Sequence, residues 1–222
     1  MSAFAVLLSG KGSTYRALQH AADAGELAGR PCRVLSDRPE AEGLAIARQS
    51  GVPARALPPA DYPDQDRYER ELGDAVEDSG ADWLVLAGYM RILGEDFVRR
   101  FQGRMINIHP SLLPAYRGLG TYRRALAAGE RIHGTSVHFV TPELDGGPVI
   151  AQAEVPVQPG DDVARLRRRT KARERVLYPR VLDWVLRGRV RLADGRVRLD
   201  GKPLPEPIRF PADREISACT ES

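Results

Sequence analysis

The segment Ala3-Phe4-Ala5-Val6-Leu7-Leu8-Ser9-Gly10-Lys11-Gly12-Ser13-Thr14 decides the fold class. Six apolar residues without polar alternation describe a strand buried on both faces. The run stops at a glycine loop, and residues 15–24 then carry a helical pattern. The same grammar returns downstream. Val34-Leu35 leads into the Asp37-Arg38-Pro39 loop, residues 42–50 place Leu44, Ala45 and Ala47 at helical spacing, and residues 52–57 offer another strand. A proline-rich loop at 58–63 precedes a helix that starts near Gln65 and runs on into the apolar strand 83–87. Alternation that persists to about Phe139 predicts an α/β fold, a mainly parallel twisted sheet with helices on both faces. Such sheets bind ligands beyond the carboxyl ends of their strands, which directs attention to the loops 9–14, 88–93 and 107–114.

Further on, residues 134–141 and 149–157 alternate like strands around an Asp145-Gly146-Gly147-Pro148 turn. A long helix over 161–186 follows, and residues 190–199 read as a hairpin turning at Asp194-Gly195. Residues 1–202 form one catalytic domain in this reading, and 203–222 a proline-rich, loosely attached tail.

Composition excludes several classes. With 42% hydrophobic and 28% charged residues the chain is neither disordered nor collagen-like, and its apolar runs are too short to span a bilayer. Cys32 and Cys219 lack ligand-like spacing and the N-terminus lacks a signal peptide's pattern, so a cytoplasmic, thiol-reduced protein is expected. The 33 basic against 30 acidic residues leave a net +3, and the pI near 9 invites a nucleic-acid partner. Distribution argues against that. Seven basic residues and one acid lie between Arg165 and Arg175, so the remainder of the chain carries −3.

Several residues are chemically suggestive. The Gly10-Lys11-Gly12-Ser13 loop has neither Walker spacing nor a third dinucleotide-binding glycine, but hydroxyls at Ser13 and Thr14 and free amides at a helix start suit one phosphate. An ordinary turn capped by Ser13 is the plainer alternative. Asn107 and His109, two apart at a strand end, share one side, where an amide N–H and an imidazolium can stabilise an oxyanion and relay a proton. Asp145 is either the former of a tight turn or the carboxylate that keeps His109 charged. His138 is a supporting site residue or a satisfied core histidine. In the last helix Val163, Leu166, Thr170 and Leu177 make an apolar stripe that carries Glu174 inward, where it can hold an amine or pair with a neighbouring arginine. Arg167, Arg168, Arg169 and Arg175 fall off the stripe and read as a solvated face. No His pair or Cys cluster has the spacing of a zinc site, so no metal is expected.

Three long stretches then resemble one family: residues 86–93 (LAGYMRIL), 106–114 (INIHPSLLP), and 133–139 (HGTSVHF) with 143–150 (ELDGGPVI). The chain is similar, over about residues 4–200, to the phosphoribosylglycinamide formyltransferases, the folate-dependent enzymes of purine biosynthesis with a Rossmann-related formyltransferase fold. The resemblance implies transfer of a formyl group from 10-formyltetrahydrofolate, a co-substrate, to the glycinamide amine of a phosphoribosyl substrate in the route to IMP. It implies small-molecule partners only, no metal, no nucleic acid and no membrane, in a monomer or homodimer. By match to the family motifs, Asn107, His109 and Asp145 are the catalytic trio, with Asn107 on the formyl oxygen, His109 the acid and Asp145 tuning it. Gly12, Ser13 and Thr14 match the phosphate loop, and Met90, Arg91, Ile92 and Leu93 the folate segment. Glu174 matches an acid near the glycinamide amine. The sequence departs from the pattern at Lys11, at Thr14 (often asparagine), at Gln65 (a folate-contacting arginine) and at Gly120 (often histidine).

Two relatives, the formyltransferase acting on initiator methionyl-tRNA and the formyl-folate hydrolase, share this chemistry, but the first carries an extra C-terminal domain and the second a preceding regulatory one, for which 222 residues leave no room. From other classes, a nucleic-acid module would use residues 165–175, and a nicotinamide enzyme Gly10, Gly12 and Asp37.

Overall fold

The computed structural model describes residues 2–214 and Ile216. Its centre is β1 (Ser2–Leu8), whose uninterrupted apolar character has a direct cause: Phe4, Val6 and Leu8 pack on one side of the sheet and Ala5 and Leu7 on the other, all fully buried. The remaining strands are β2 (Gly29–Ser36), β3 (Ala54–Ala56), β4 (Trp83–Leu86), β5 (Met105–His109), β6 (Ile132–Phe139), β7 (Val149–Pro156), β8 (Val190–Ala193), β9 (Arg196–Leu199), β10 (Lys202–Pro203) and β11 (Ile208–Phe210). Helices are α1 (Ser13–Asp23), α2 (Glu42–Gln49), α3 (Gln65–Glu77), α4 (Glu95–Arg100), α5 (Thr121–Ala127) and α6 (Val163–Leu186).

The main sheet has the order β11-β7-β6-β5-β4-β1-β2-β3. Pairings from β3 across to β5, and that of β11 with β7, are parallel, whereas β6 runs antiparallel to both β5 and β7. The sheet is thus mainly parallel, as the alternation predicts, with one reversed strand. Side chains of α1, α2 and α6 cover one face, and those of α3 and α4 the other. The chain leaves β1 toward β2 and β3 in one direction and returns through β4 to β5 in the other. A crevice therefore opens where β1 and β4 diverge. Two loops are stitched together there, because Ser9 N–H donates to Gly88 O (3.1 Å) and Met90 N–H to Ser9 Oγ (2.8 Å).

Local differences from the sequence reading have physical causes. Helix α1 begins at Ser13, since Gly12 adopts φ +65° and serves as its cap. Only Ala54–Ala56 of the 52–57 stretch pairs as a strand. Asn107 and His109 lie within β5 rather than in the loop after it. The short helices α4 and α5 have too few turns for a clear apolar period. The 190–199 hairpin forms as expected and gains β10 as a third strand.

The loosely attached tail is corrected for residues 203–210. Pro203 belongs to β10, and Ile208–Phe210 extends the main sheet along β7, a proline-flanked edge strand of a kind that reads poorly from composition. Arg173 of α6 clamps the segment by donating to the carbonyls of Phe210, Pro211 and Arg214. Residues 215 and 217–222 of the expected tail, Cys219 included, lie outside the described residues. Among the described residues no helix is long and apolar enough to cross a membrane.

Candidate active site

A cleft of about 660 Å³ opens beyond the carboxyl ends of β4 and β5. Its lining includes Leu86, residues 88–93, Asn107, His109, Tyr122, His138 and Asp145, with Arg167 and Lys171 of α6 at one side. The large apolar side chains Met90, Ile92, Leu119 and Leu144 are exposed, and all four gather on this cleft. Apolar walls with a few convergent polar groups describe a site for a small organic ligand.

Asn107, His109, His138 and Asp145 meet at its floor. His109 Nδ1 lies 3.3 Å from one Asp145 carboxylate oxygen, and His138 Nε2 lies 3.7 Å from the other. His138 Nδ1 is 2.8 Å from the Phe139 carbonyl, so it carries the proton, and its Nε2 accepts from Asn107 Nδ2 at 3.3 Å. Burial pushes the His138 pKa down from 6.5 to about 4, which makes it the neutral partner. His109 differs. Its Nε2 lies 3.0 Å from the Tyr116 carbonyl, while Nδ1 faces the carboxylate. One carboxylate therefore stands between two imidazoles, of which the deeply buried His138 is neutral.

Backbone geometry supports this arrangement. Asp145 occupies the left-handed region (φ +48°) and Gly118 N–H donates to its Oδ2 at 2.9 Å. A Cβ on Gly147 would stand 1.9 Å from the Phe139 carbonyl, so the Gly-Gly pair lets the turn close against β6. Asp145 is thus both turn former and site carboxylate, and His138 both buried and in contact with the site.

His133, a second buried imidazole, has its pKa lowered to about 4, chiefly by desolvation. Both buried rings are neutral in the folded protein, while unfolded histidine titrates near 6.5. The stability they confer is complete above pH 6.5 and is lost as pH falls toward about 4. Glu174, a carboxylate pushed upward, contributes with the opposite sign. NMR of the ring C–H signals is expected to show both histidines neutral down to pH 5. Titration of either ring above pH 6 would contradict the assignment.

Glu174 lies inward as the stripe predicts, at 1% exposure. Its partner is Lys171 Nζ, 2.5 Å from Oε2, rather than an arginine. Oε1 is buried without a partner, and desolvation raises the pKa of the group. Its neighbours Arg167, Arg168 and Arg175 are exposed, as the solvated-face reading expects, and part of that face borders pockets. Arg167 and Lys171 line the cleft, and Arg175, a further turn along, lines a smaller pocket of about 320 Å³ with Lys11, Ser13, Arg16 and Glu42. Arg165 and Arg169 donate to loop residues 156–161, and Arg173 is committed to the 210–214 carbonyls. Four of the seven basic residues between 165 and 175 therefore make hydrogen bonds or ion pairs within the chain.

The glycine loop borders that smaller pocket. The α1 cap uses no side chain, so the alternative of a turn capped by Ser13 is not observed and the first amides of the helix remain available. A Cβ on Gly12 would stand 2.5 Å from Gly43 Cα, which fixes glycine where the loop meets α2.

Gln65 does not line the cleft; its amide is held by Glu69 Oε1 (2.8 Å) and reaches the Ile92 carbonyl (3.5 Å). Glu69 also accepts from Gly94 N–H at 2.8 Å, and Tyr68 meets Tyr89 through their hydroxyls. Helix α3 thus anchors the 89–94 segment from behind, through residues that the sequence reading passed over. Gly120 has φ +72° and caps α5, which accounts for glycine there. Among the described residues no group of three His, Cys, Asp or Glu side chains is arranged to hold a metal ion.

A family model described as formyl transferase matches residues 2–182. Phosphoribosylglycinamide formyltransferase of Escherichia coli is 44% identical over 208 residues, 94% of this chain and 98% of that protein. The enzyme of the same name from Haemophilus influenzae is 41% identical over 206 residues, 93% and 97%. The solved phosphoribosylglycinamide formyltransferase of Coxiella burnetii superposes with a TM-score of 0.91 at 44% identity, covering 95% of this chain and 99% of that one.

Proposed function

Since the chain belongs to the formyl transferase family, we propose that it transfers the formyl group of 10-formyltetrahydrofolate to the glycinamide amine of phosphoribosylglycinamide, in purine biosynthesis in the cytoplasm. The observation that carries the reading is the convergence of Asn107, His109 and Asp145 between an apolar cleft and a cation-lined pocket. The folate fits the first and the substrate phosphate the second.

In this mechanism residues 90–93 and the apolar walls hold the folate, and the formyl carbonyl points at the Asn107 amide. The amine nitrogen attacks the formyl carbon, and the carbonyl electron pair moves onto oxygen, where Asn107 N–H and the His109 imidazolium stabilise it. His109 is held through Nε2–H on the Tyr116 carbonyl, so Nδ1, facing the cleft and Asp145, is the nitrogen that exchanges the proton. The amine loses a proton, N10 of the folate gains one, and the carbon–N10 bond breaks. Asp145 retains charge throughout and offsets that of the imidazolium. Glu174 receives the amine end of the acceptor, and Gly12, Ser13 and Thr14 offer amides and hydroxyls to its phosphate.

The test is an assay with both purified substrates: tetrahydrofolate is expected only when phosphoribosylglycinamide is added, and folded protein without turnover overturns the reading. Within it, Arg175→Ala and Lys11→Ala are each expected to raise the KM for the phosphorylated substrate roughly 3- to 10-fold at low salt, with kcat retained. The gap should narrow as salt screens the remaining cations. An unchanged KM would remove the phosphate from that pocket.

A further inference from the structure

The loop between β5 and α5 passes twice through the left-handed region, at Tyr116 (φ +57°) and at Gly118 (φ +74°). For a residue with a side chain, such as Tyr116, that conformation is costly and persists only where the surroundings over-determine it. Here they do. The Tyr116 carbonyl meets His109 Nε2 at 3.0 Å, and its hydroxyl donates to Glu130 at 2.6 Å. Further along, Gly118 N–H donates to Asp145 Oδ2, the same oxygen that lies 3.3 Å from His109 Nδ1. The loop therefore touches the ring at one nitrogen and, at the other, the carboxylate that faces it.

Arg124 of α5 holds this loop from its outer side. Its Nη1 donates to the Arg117 carbonyl at 2.6 Å and reaches the Leu119 carbonyl at 3.4 Å, and its guanidinium lies over the Tyr116 ring, 5.3 Å from the centroid. An exposed arginine usually contributes little. This one is fixed by carbonyls on one side and a ring on the other, contacts that suit a planar, pre-organised fork. The Arg117 carbonyl and the Gly118 N–H belong to one peptide group. In a trans peptide they point in opposite directions, so a cation on the carbonyl orients the plane and aims the N–H at Asp145. By drawing electron density onto the carbonyl oxygen it also strengthens that N–H as a donor.

We propose that Arg124 is a positioning residue for the reaction, acting through the 117–118 peptide to hold the Asp145 carboxylate against His109 Nδ1. This rests on the function proposed above and adds a residue that does not itself line the cleft. Without the guanidinium the peptide plane can rotate, because glycine at 118 tolerates either orientation, and Asp145 then loses a backbone donor. A carboxylate free to swing no longer faces the ring in the geometry that the proton transfer needs.

Arg124→Ala is expected to lower kcat about 5- to 30-fold, while the KM of each substrate stays within about twofold and the melting temperature near wild type. Arg124→Lys, which can still donate to the Arg117 carbonyl, should keep about a third or more of wild-type kcat. In an Asp145→Ala background Gly118 has no carboxylate to direct, so Arg124→Ala should there cost less than about twofold. A merely structural role would cost the same factor in both backgrounds. The Gly118 amide proton, followed by NMR in isotope-labelled protein, reads the peptide without turnover: it is expected to move upfield in Arg124→Ala and to exchange about tenfold faster. Unchanged kcat, equal losses in the two backgrounds, or an unmoved Gly118 amide overturns the proposal. If the amide responds but the wild-type protein does not formylate the acceptor, the functional reading fails and the catalytic role of Arg124 falls with it, leaving only the peptide contact.

Discussion

His109→Ala is expected to lower kcat by roughly 10²- to 10⁴-fold while the KM of each substrate changes by less than about threefold, the range that a positioned general acid or base contributes. The split between kcat and KM is the point of the measurement. His109 is buried, its Nε2 is committed to Tyr116, and its Nδ1 faces Asp145, so little of the ring is left to hold either ground-state substrate. Its interaction strengthens only when charge develops on the formyl oxygen. Steady-state kinetics with each substrate varied in turn decides the matter. Loss that appears mainly in KM would make the histidine a binding or structural residue, and the proton would need another carrier.

Asp145→Asn is expected to be the second largest effect, about 10²- to 10³-fold in kcat, again with small changes in KM. The substitution conserves shape and can preserve the bond from Gly118 N–H, so folding is not the variable tested. What disappears is the negative charge between two imidazoles. Burial keeps His138 neutral despite that charge, which leaves the carboxylate facing His109 Nδ1 at 3.3 Å. With an amide instead, no anion opposes the positive charge that the ring carries as the proton moves, so the loss should fall on kcat. A loss that falls on KM instead would assign Asp145 to substrate binding.

How much of this was legible in residues can be judged element by element. The buried first strand, the glycine loop and the 83–87 strand announce a mainly parallel sheet because strands covered on both faces have no polar alternation to hide. Glu174 was legible as inward from its neighbours Thr170 and Leu177, a purely periodic signal. The trio's spacing within β5 placed Asn107 and His109 on one side, but the partners of His109 come from Tyr116 and Asp145, seven and thirty-six residues away in sequence, and no local pattern encodes such meetings. Arg175 is exposed as its position predicts, but the pocket it borders was not legible, for a related reason. Off the apolar stripe of α6 it has the signature of solvent, and only the neighbouring glycine loop turns that exposed face into a pocket wall. The edge strand near Phe210 is too short and proline-flanked to announce itself, and its clamp by Arg173 is a tertiary event.

Tyr178 links these parts in a way that bears on timing and fidelity. Four residues beyond Glu174 on α6, its fully buried hydroxyl lies 3.0 Å from the Leu86 carbonyl, at the end of β4, and 3.1 Å from the Ile106 carbonyl, within β5 one residue before Asn107. A single O–H shared between two neighbouring strands makes the helix a ruler measured from both. Groups proposed for the acceptor, Glu174 and Lys171, ride on that helix, and those proposed for the formyl donor ride on the strands. The separation between the two reactants is therefore built into the scaffold, and a wandering helix would not be needed to bring them together. Encounter between amine and formyl carbon becomes a matter of occupancy, so that the rate of productive collision depends on both sites being filled rather than on a search for alignment.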